Sequence, residues 1–466
     1  MQQLSRRAFL GGSGIVLGSA AGCLSLGSRT NFDPADWPVP QADAGQTNYS
    51  PTSGPVEDAE IAWRQPFDDG FYASLFLVDG TLFVGPNSVE RSYPAPATHT
   101  GDSETLYAVD SANGDIQFQI SDLSAVYGVA GTRTYADGVV LASGYTHSGI
   151  GTRRNHRRYR TSGLNPSGGV APRRWIKQRL PPRGWGEAKP GQTTATAGGT
   201  WFYAEPRNPM RIRAIDVDDG RQRWMSDLDT AGKVISPADT DRLVAAGPPI
   251  LLADTDRLVV VDTTLNASKL YLFDHDGREL ARANVPNVAR AILRDGAVTL
   301  VSTGKQLRIE TYDTETLDQQ WQNTIEVGNR AHVHLAAGPE SLVTTVGQTD
   351  SQRWNSENEL PIFLVGFDRD SGQQRWQTTV PETRYVRSIA IGDTTVYLGT
   401  QHGFFSDPSS VFAYALDDGA ERWRIKSKRS ESGSTEPVWR TVHSILVSDG
   451  RLYLWDGETL VALEEP

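Results

Sequence analysis

The chain has 466 residues, 38% of them hydrophobic, a single cysteine and a formal net charge of -11. One cysteine permits no disulfide within the chain and no cysteine-based metal site, so stability has to come from a packed core. The length alone suggests two or three domains, an expectation that internal repeats override.

The first element in chain order is LSRRAFLGGSGIVLGSAAGC, residues 4–23. Its apolar run from Ala8 to Gly22 is shorter than the roughly 20 residues a spanning helix needs, so it reads as an export signal. Ser5 to Leu10 resembles the twin-arginine signal, with Arg6 and Arg7 as its pair, which implies export of an already folded protein. Ala20-Ala21-Gly22-Cys23 resembles a lipobox, although Ala20 stands where that motif usually carries Leu or Val. The resemblance implies that residues 1–22 are removed and that Cys23 becomes a lipidated first residue on the outer face of the cytoplasmic membrane. Removing 1–22, which hold Arg6 and Arg7 and no acid, takes the net charge from -11 to -13. Only seven of the 45 basic residues are lysines. An acidic, lysine-poor exported chain resembles the proteins of extremely halophilic archaea.

Residues 23–60 follow as the expected tether and lead-in. The stretch is rich in Ser, Gly, Pro, Asp and Asn and has neither a helical nor a strand period, so an extended segment without regular structure is expected.

From residue 61 to 466 the chain repeats itself. LYAVDSANGDIQFQI (106–120), IRAIDVDDGRQRWMS (212–226), IETYDTETLDQQWQN (309–323), LVGFDRDSGQQRWQT (364–378) and FAYALDDGAERWRIK (412–426) each place an aromatic eight residues after a fixed position that is usually Asp. LYLFDHDGRELAR (270–282) is one residue shorter and has no Trp. Alternating apolar residues give a strand, the Asp-to-Gly stretch a tight turn, and the following residues a second strand. A further strand pair precedes each hairpin, as in YASLFLVDGTLFVGP, so each repeat makes one four-stranded sheet. Such a sheet cannot bury both faces alone and must stack against its neighbours around an axis, which is a β-propeller.

These repeats resemble the PQQ-type propeller repeat and the BamB-like lipoproteins built from it. In that family the Trp docks between blades, a role the resemblance implies for Trp63, Phe118, Trp175, Trp224, Trp321, Trp376 and Trp423. The expected fold is all-β, with units near 71–120, 124–180, 193–228, 249–285, 289–325, 330–380 and 385–427. The segment TVHSILVSDGRLYLWDGETLVALEE supplies three more strands, and IAWRQPF (61–67) supplies the fourth. Eight antiparallel blades result, the last closed by an N-terminal strand; seven is the alternative if 124–180 is not a blade.

The unit at 124–180 is charged in its own way. Residues 144–190 hold eleven Lys or Arg and one acid, Glu187. RRWIKQRL aligns with the Trp strand, whereas RRNHRRYR (153–160) reads as an inserted loop. Arg153, Arg154, Arg157, Arg158 and Arg160 are therefore the expected contacts for an anion or an acidic partner, whether headgroup, glycan or protein.

Motifs that carry chemistry are sparse. His332 and His334 share a strand face, but a metal needs a third ligand, and His443 falls at the opposite parity. Neither a phosphate-binding glycine loop nor a nucleophile elbow is present. Quinoprotein dehydrogenases share the repeat and hold PQQ with Ca²⁺ over the propeller axis, but their Glu, Asn and Asp constellation has no match in this sequence. The expected function is a noncatalytic, monomeric scaffold, lipid-anchored outside the cytoplasmic membrane, binding protein partners and no nucleic acid, metal or cofactor. A PQQ-dependent dehydrogenase or quinone binder and a glycan-binding or sensing propeller are the alternatives.

Overall fold

The computed structural model describes residues 36–37, 46–67, 73–86, 105–120, 133–136, 138–147, 157–165, 173–179, 194–205, 210–228, 250–254, 256–263, 268–304, 306–326, 331–348, 361–381, 383, 385–401, 409–426 and 442–466. Arg6, Arg7, Cys23, Arg153 and Arg154 lie outside them.

Two strands precede the first blade, β1 (Tyr49–Ser50) and β2 (Glu60–Pro66). Blade 1 is β3 (Ala73–Val78), β4 (Thr81–Pro86), β5 (Leu106–Asp110) and β6 (Ile116–Ile120). Blade 2 is β7 (Arg133–Ala136), β8 (Val139–His147), β9 (Arg157–Leu164) and β10 (Arg173–Arg179). Blade 3 is β11 (Thr194–Ala197), β12 (Thr200–Glu205), β13 (Met210–Asp216) and β14 (Gln222–Leu228). Blade 4 is β15 (Ile250–Ala253), β16 (Arg257–Asp262), β17 (Ser268–Asp274) and β18 (Glu279–Val285). Blade 5 is β19 (Val288–Arg294), β20 (Ala297–Ser302), β21 (Gln306–Asp313) and β22 (Gln319–Glu326). Blade 6 is β23 (Ala331–Ala337), β24 (Ser341–Gln348), β25 (Ile362–Asp368) and β26 (Gln374–Val380). Blade 7 is β27 (Tyr385–Gly392), β28 (Thr395–Gln401), β29 (Ser410–Ala415) and β30 (Glu421–Lys426). Blade 8 is β31 (Ser444–Ser448), β32 (Arg451–Trp455), β33 (Thr459–Glu464) and, from the other end of the chain, β2.

Every blade is an antiparallel meander, and the first strands of successive blades lie side by side around an axis. The fold is an eight-bladed β-propeller, and 133–179 forms a blade of its own. Register follows turn chemistry. The first turn of several blades is a two-residue loop such as Asp79-Gly80, Asp295-Gly296 or Asp449-Gly450, with both residues at positive φ, which matches the right-handed strand twist. In the second hairpin the leading Asp accepts backbone N–H groups two or three residues ahead, as Asp368 does from Ser371 (2.9 Å).

The repeated aromatic explains how blades hold one another. The indole N–H of Trp63, Trp175, Trp224, Trp321 and Trp376 donates to a backbone carbonyl in the second-hairpin turn of the next blade: Ser111, Val217, His275, Arg369 and Leu416. Each ring lies over the glycine of that turn; a Cβ on Gly372 would overlap the Trp321 ring. The residue paired across the hairpin from each ring is small: Ala462 for Trp63, Ala108 for Phe118, Gly163 for Trp175, Ala214 for Trp224, Thr311 for Trp321, Gly366 for Trp376 and Ala413 for Trp423.

Blade 4 breaks the pattern and shows its logic. Ala281 stands in the Trp position, and its cross-strand partner is Leu272 in place of a small residue. The facing turn of blade 5 carries Leu317 where other turns have Gly, held at φ 59° and 8% exposed. Ala281, Leu272 and Leu317 pack in one apolar cluster. Two leucines fill the volume that elsewhere belongs to one indole, and with no ring to admit, the turn has no need of glycine.

The expectation of an irregular lead-in over 24–60 is corrected at Tyr49–Ser50 and at Glu60, which are strand residues. Tyr49 and Ser50 form β1, which pairs parallel with Ile391 and Gly392 of β27 and gives blade 7 a fifth strand on its axial edge. Trp37 pairs with Leu77 and is 1% exposed. Periodicity cannot reveal a segment that borrows its hydrogen bonds from strands hundreds of residues away.

Candidate binding surfaces around the axis

Because each blade runs up, down, up, down, its first and third turns lie on one face of the propeller, and its remaining connections lie on the other. The turn face is acidic. First turns contribute Asp79, Asp254, Asp295, Glu340, Asp393 and Asp449, and second-hairpin turns add Asp115, Asp218, Asp219, Asp276, Asp318 and Asp370 among others. Some of the turn carboxylates that also act as backbone acceptors have lowered pKa values. Ser371 and Arg375 lower the pKa of Asp368 to about 2, and the Asp313 carboxyl is lowered by the N–H groups of Thr316 and Glu315.

The lead-in lies across the turn-face end of the axis. Gln46 Nε2 donates to Leu251 O of blade 4 (2.9 Å), and Asn48 Nδ2 donates to Leu335 O of blade 6 (2.8 Å). Ala337 N–H and Ile391 N–H bond to the carbonyls of Thr47 and Asn48. Arg294 of blade 5 lies over the Tyr49 ring at 4.5 Å. Gln46 and Asn48 both take positive φ (59° and 52°), and their carboxamides reach two different blades. The segment is thus seated on the free axial edges of the first strands. No signal in the sequence gives Gln46 or Asn48 this role: Gln46 is a common loop residue, and Asn48 stands out only as the head of the glycosylation sequon Asn48-Tyr49-Ser50.

The lead-in then completes the ring. Blade 8 is assembled from two chain ends, so it has no second-hairpin turn for blade 7 to dock on. Residues 54–57 take that place: Pro55 O accepts from the Trp423 indole (3.0 Å) and from the Tyr397 hydroxyl (3.1 Å). The N–H groups of Val56 and Glu57 bond the Glu465 carboxylate, tying the two chain ends together. Beside this seam, a cleft of 570 Å³ is lined by Asp36, Asp79, Asp449, Glu464 and Glu465 with Arg451. Arg451 is already committed to Glu464 (2.7 Å) and to the carbonyls of Ser111 and Ala112.

The axial wall has the opposite charge. Strands β3, β7, β11, β15, β19, β23, β27 and β31 carry no Asp or Glu, but they do carry Arg133, Arg290, Arg294, His332, His334 and Arg387. Burial lowers the pKa of Arg290, whose Nη1 donates to the carbonyl of Ala289. His443 precedes β31; burial, with Arg387 nearby, pushes its imidazole down to about 4. Arg387 bonds Gln401 (2.7 Å) and approaches the Tyr385 ring at 5.6 Å. Among the described residues, no group of three His, Cys, Asp or Glu is placed to hold a metal ion.

Of the basic segment, Arg157, Arg158 and Arg160 are strand residues of β9, which corrects the reading of 153–160 as one inserted loop. β8 and β9 pair from Val140–Leu164 out to His147–Arg157, while β7 covers β8 only as far as Ala142. The hairpin therefore extends past its blade, because a ribbon whose two strands satisfy each other needs no third strand.

A family described as outer membrane protein assembly factor BamB matches residues 209–459, over half of the chain. No curated protein matches it. Among solved structures, a quinohemoprotein alcohol dehydrogenase from Pseudomonas putida HK5 aligns with TM-score 0.61 and 12% identity, over 93% of this chain and 82% of that one. BamB from Moraxella catarrhalis aligns with TM-score 0.50 and 12% identity, over 87% of this chain and all of that one. Sqt1 from Saccharomyces cerevisiae aligns with TM-score 0.53 and 9% identity, over 88% and 99%. At these identities the likeness is one of fold.

Proposed function

The chain belongs to the family described as outer membrane protein assembly factor BamB, and from that premise we propose that it is a noncatalytic scaffold that binds protein partners outside the cytoplasmic membrane. Its attachment is through a lipid on Cys23 after export directed by Arg6 and Arg7. The resemblance lends the scaffold role; assembly of an outer membrane is not carried over with it.

One observation carries the reading: the chain's own residues 46–50 occupy the axial edges of β23 and β27 and reach β15. A propeller that seats its own backbone on the axial edges of blades 4 to 7 has its faces and rim left to present to others. Quinone chemistry at the axis finds less support. Calcium takes six to eight oxygen ligands, carboxylates prominent among them, and the first strands carry no acid. The described wall therefore does not fit a PQQ and Ca²⁺ site, and no redox step is assigned to it.

The test is a titration of the purified chain with PQQ and Ca²⁺, following Trp fluorescence and dye reduction with simple alcohols and sugars. The scaffold reading expects neither saturable binding nor turnover. One-to-one binding accompanied by turnover overturns it.

A further inference from the structure

Three buried side-chain atoms of blade 5 have no hydrogen-bond partner among the described residues: Ser302 Oγ, Arg308 Nε and Glu310 Oε2. Register brings them together. Ser302 and Arg308 stand directly opposite each other on β20 and β21, and Glu310 follows Arg308 by two residues, so all three side chains leave one face of the sheet. That face is turned toward blade 4, because Leu300, opposite Glu310, packs with Leu272 and Val285 of blade 4 in one apolar cluster. This is the seam where Ala281 stands in place of the docking indole. Ala281 and Ala283 of β18 line it from the blade 4 side, and both are only partly buried.

The other Glu310 oxygen is fully engaged. It accepts from Arg308 Nη2 and from the Tyr312 hydroxyl (3.2 Å), whose pKa burial and the Glu310 charge raise to about 12. Arg308 Nη2 also reaches Gln322 Oε1 (2.9 Å), and Gln322 is exposed at the rim. The architecture itself asks for none of these polar groups. At the corresponding places blade 6 carries Val346, Phe363 and Val365, with Val346 opposite Phe363 as Ser302 is opposite Arg308. Buried polar atoms without partners are costly, and blade 6 builds the same sheet from apolar residues.

Hydrogen-bond type decides what fits the three atoms. Arg308 Nε only donates, the ion-paired Glu310 carboxylate only accepts, and Ser302 Oγ does either. One hydroxyl group answers all three: its oxygen accepts from Arg308 and Ser302, and its hydrogen goes to Glu310 Oε2. An ammonium group has no acceptor to offer, a phosphate dianion or a carboxylate has no donor, and a metal cation would lie against the guanidinium. Arg308 Nη2 and Gln322 continue the polar strip to the rim, where a second hydroxyl of the same molecule meets them. The methyl groups of Ala281 and Ala283 face its C–H groups.

We propose that the seam between blades 4 and 5 binds a small polyol, with one hydroxyl held by Ser302, Arg308 and Glu310 and the next directed to Gln322. The site needs no partner protein, so it stands apart from the scaffold reading, and the failure of either leaves the other in place.

The full chain serves for the test. Saturation-transfer NMR follows glycerol and, separately, ethanol titrated against the native chain, against the variant S302V/R308F/E310V that copies blade 6, and against Gln322→Ala. Trp fluorescence and thermal midpoint establish that each chain is folded. The triple variant should hold its midpoint, because apolar residues replace a buried ion pair with little or no loss. Glycerol is expected to bind the native chain saturably and more tightly than ethanol, and to bind the triple variant at least about tenfold more weakly. Gln322→Ala, an exposed change that leaves the fold alone, should weaken glycerol several-fold and leave ethanol unchanged. Equal glycerol binding by the native and triple-variant chains overturns the proposal, and so does equal binding by the native chain and Gln322→Ala. Ethanol binding as tightly as glycerol, or a crystal structure grown in glycerol with only water against Ser302 Oγ and Glu310 Oε2, overturns it as well.

Discussion

At the residue scale, the indoles and the turn carboxylates bear the structure in ways that separate experimentally. Trp376 is 8% exposed, lies over Gly419, and donates to Leu416 O. Trp376→Ala should destabilise the ring by about 3–5 kcal/mol, measured by denaturant unfolding. Trp376→Phe, like the natural Phe118, keeps much of the apolar contact and loses the N–H bond, so it should cost less. Asp368 acts through its charge. Its folded pKa of about 2 lies below the roughly 3.9 of an unfolded Asp, so its stabilising contribution is full above the unfolded value and fades as pH falls toward 2. The stability gap between the native chain and Asp368→Asn should accordingly be widest near pH 6 and close toward pH 2. His443 gives a direct check on the axial environment: NMR of its ring should show a midpoint near pH 4, well below an exposed imidazole.

At the element scale, the blade 4 to blade 5 junction is a natural experiment in packing. Ala281→Trp alone drives an indole against Leu272 and Leu317 and should cost about 1–3 kcal/mol. Ala281→Trp combined with Leu272→Ala and Leu317→Gly rebuilds the arrangement of the other blades and should recover most of that loss. Thermal midpoints of the single and triple variants decide it; no recovery would mean that the leucines do not stand in for the ring. This element also marks how far sequence reaches. The eight-residue spacing from Asp to aromatic is local, so LYAVDSANGDIQF and its relatives reveal hairpins, blades and the borrowed strand at 61–67. The missing Trp of 270–282 is just as visible, but its compensation is not, because Leu317 sits 36 positions from Ala281 and only packing relates them. Gln46 and Asn48 were illegible for the same reason, their partners being Leu251 and Leu335. The turn and strand chemistry of the fold is written in neighbours; the surfaces around its axis are written in residues that meet only when the ring closes.

At the scale of the whole molecule, the lead-in is part of the folded body. A chain beginning at residue 59 keeps β2 but loses β1, the Pro55 acceptor of Trp423, and the Val56 and Glu57 bonds to Glu465. Its thermal midpoint should fall by several degrees, read by calorimetry, because a few kcal/mol spread over a large domain moves the midpoint modestly. The pairing of β2 with β33 has a consequence in time. Glu464 is made 404 residues after Glu60, its partner. At about 5–20 residues per second, β2 waits roughly 20–80 s on the ribosome with its edge unsatisfied. Seven blades can assemble while it waits, but none of them closes the circle. Closure is a signal that every blade between β2 and β33 has been made: any machinery that admits only a folded ring would, by testing this seam, be counting the blades.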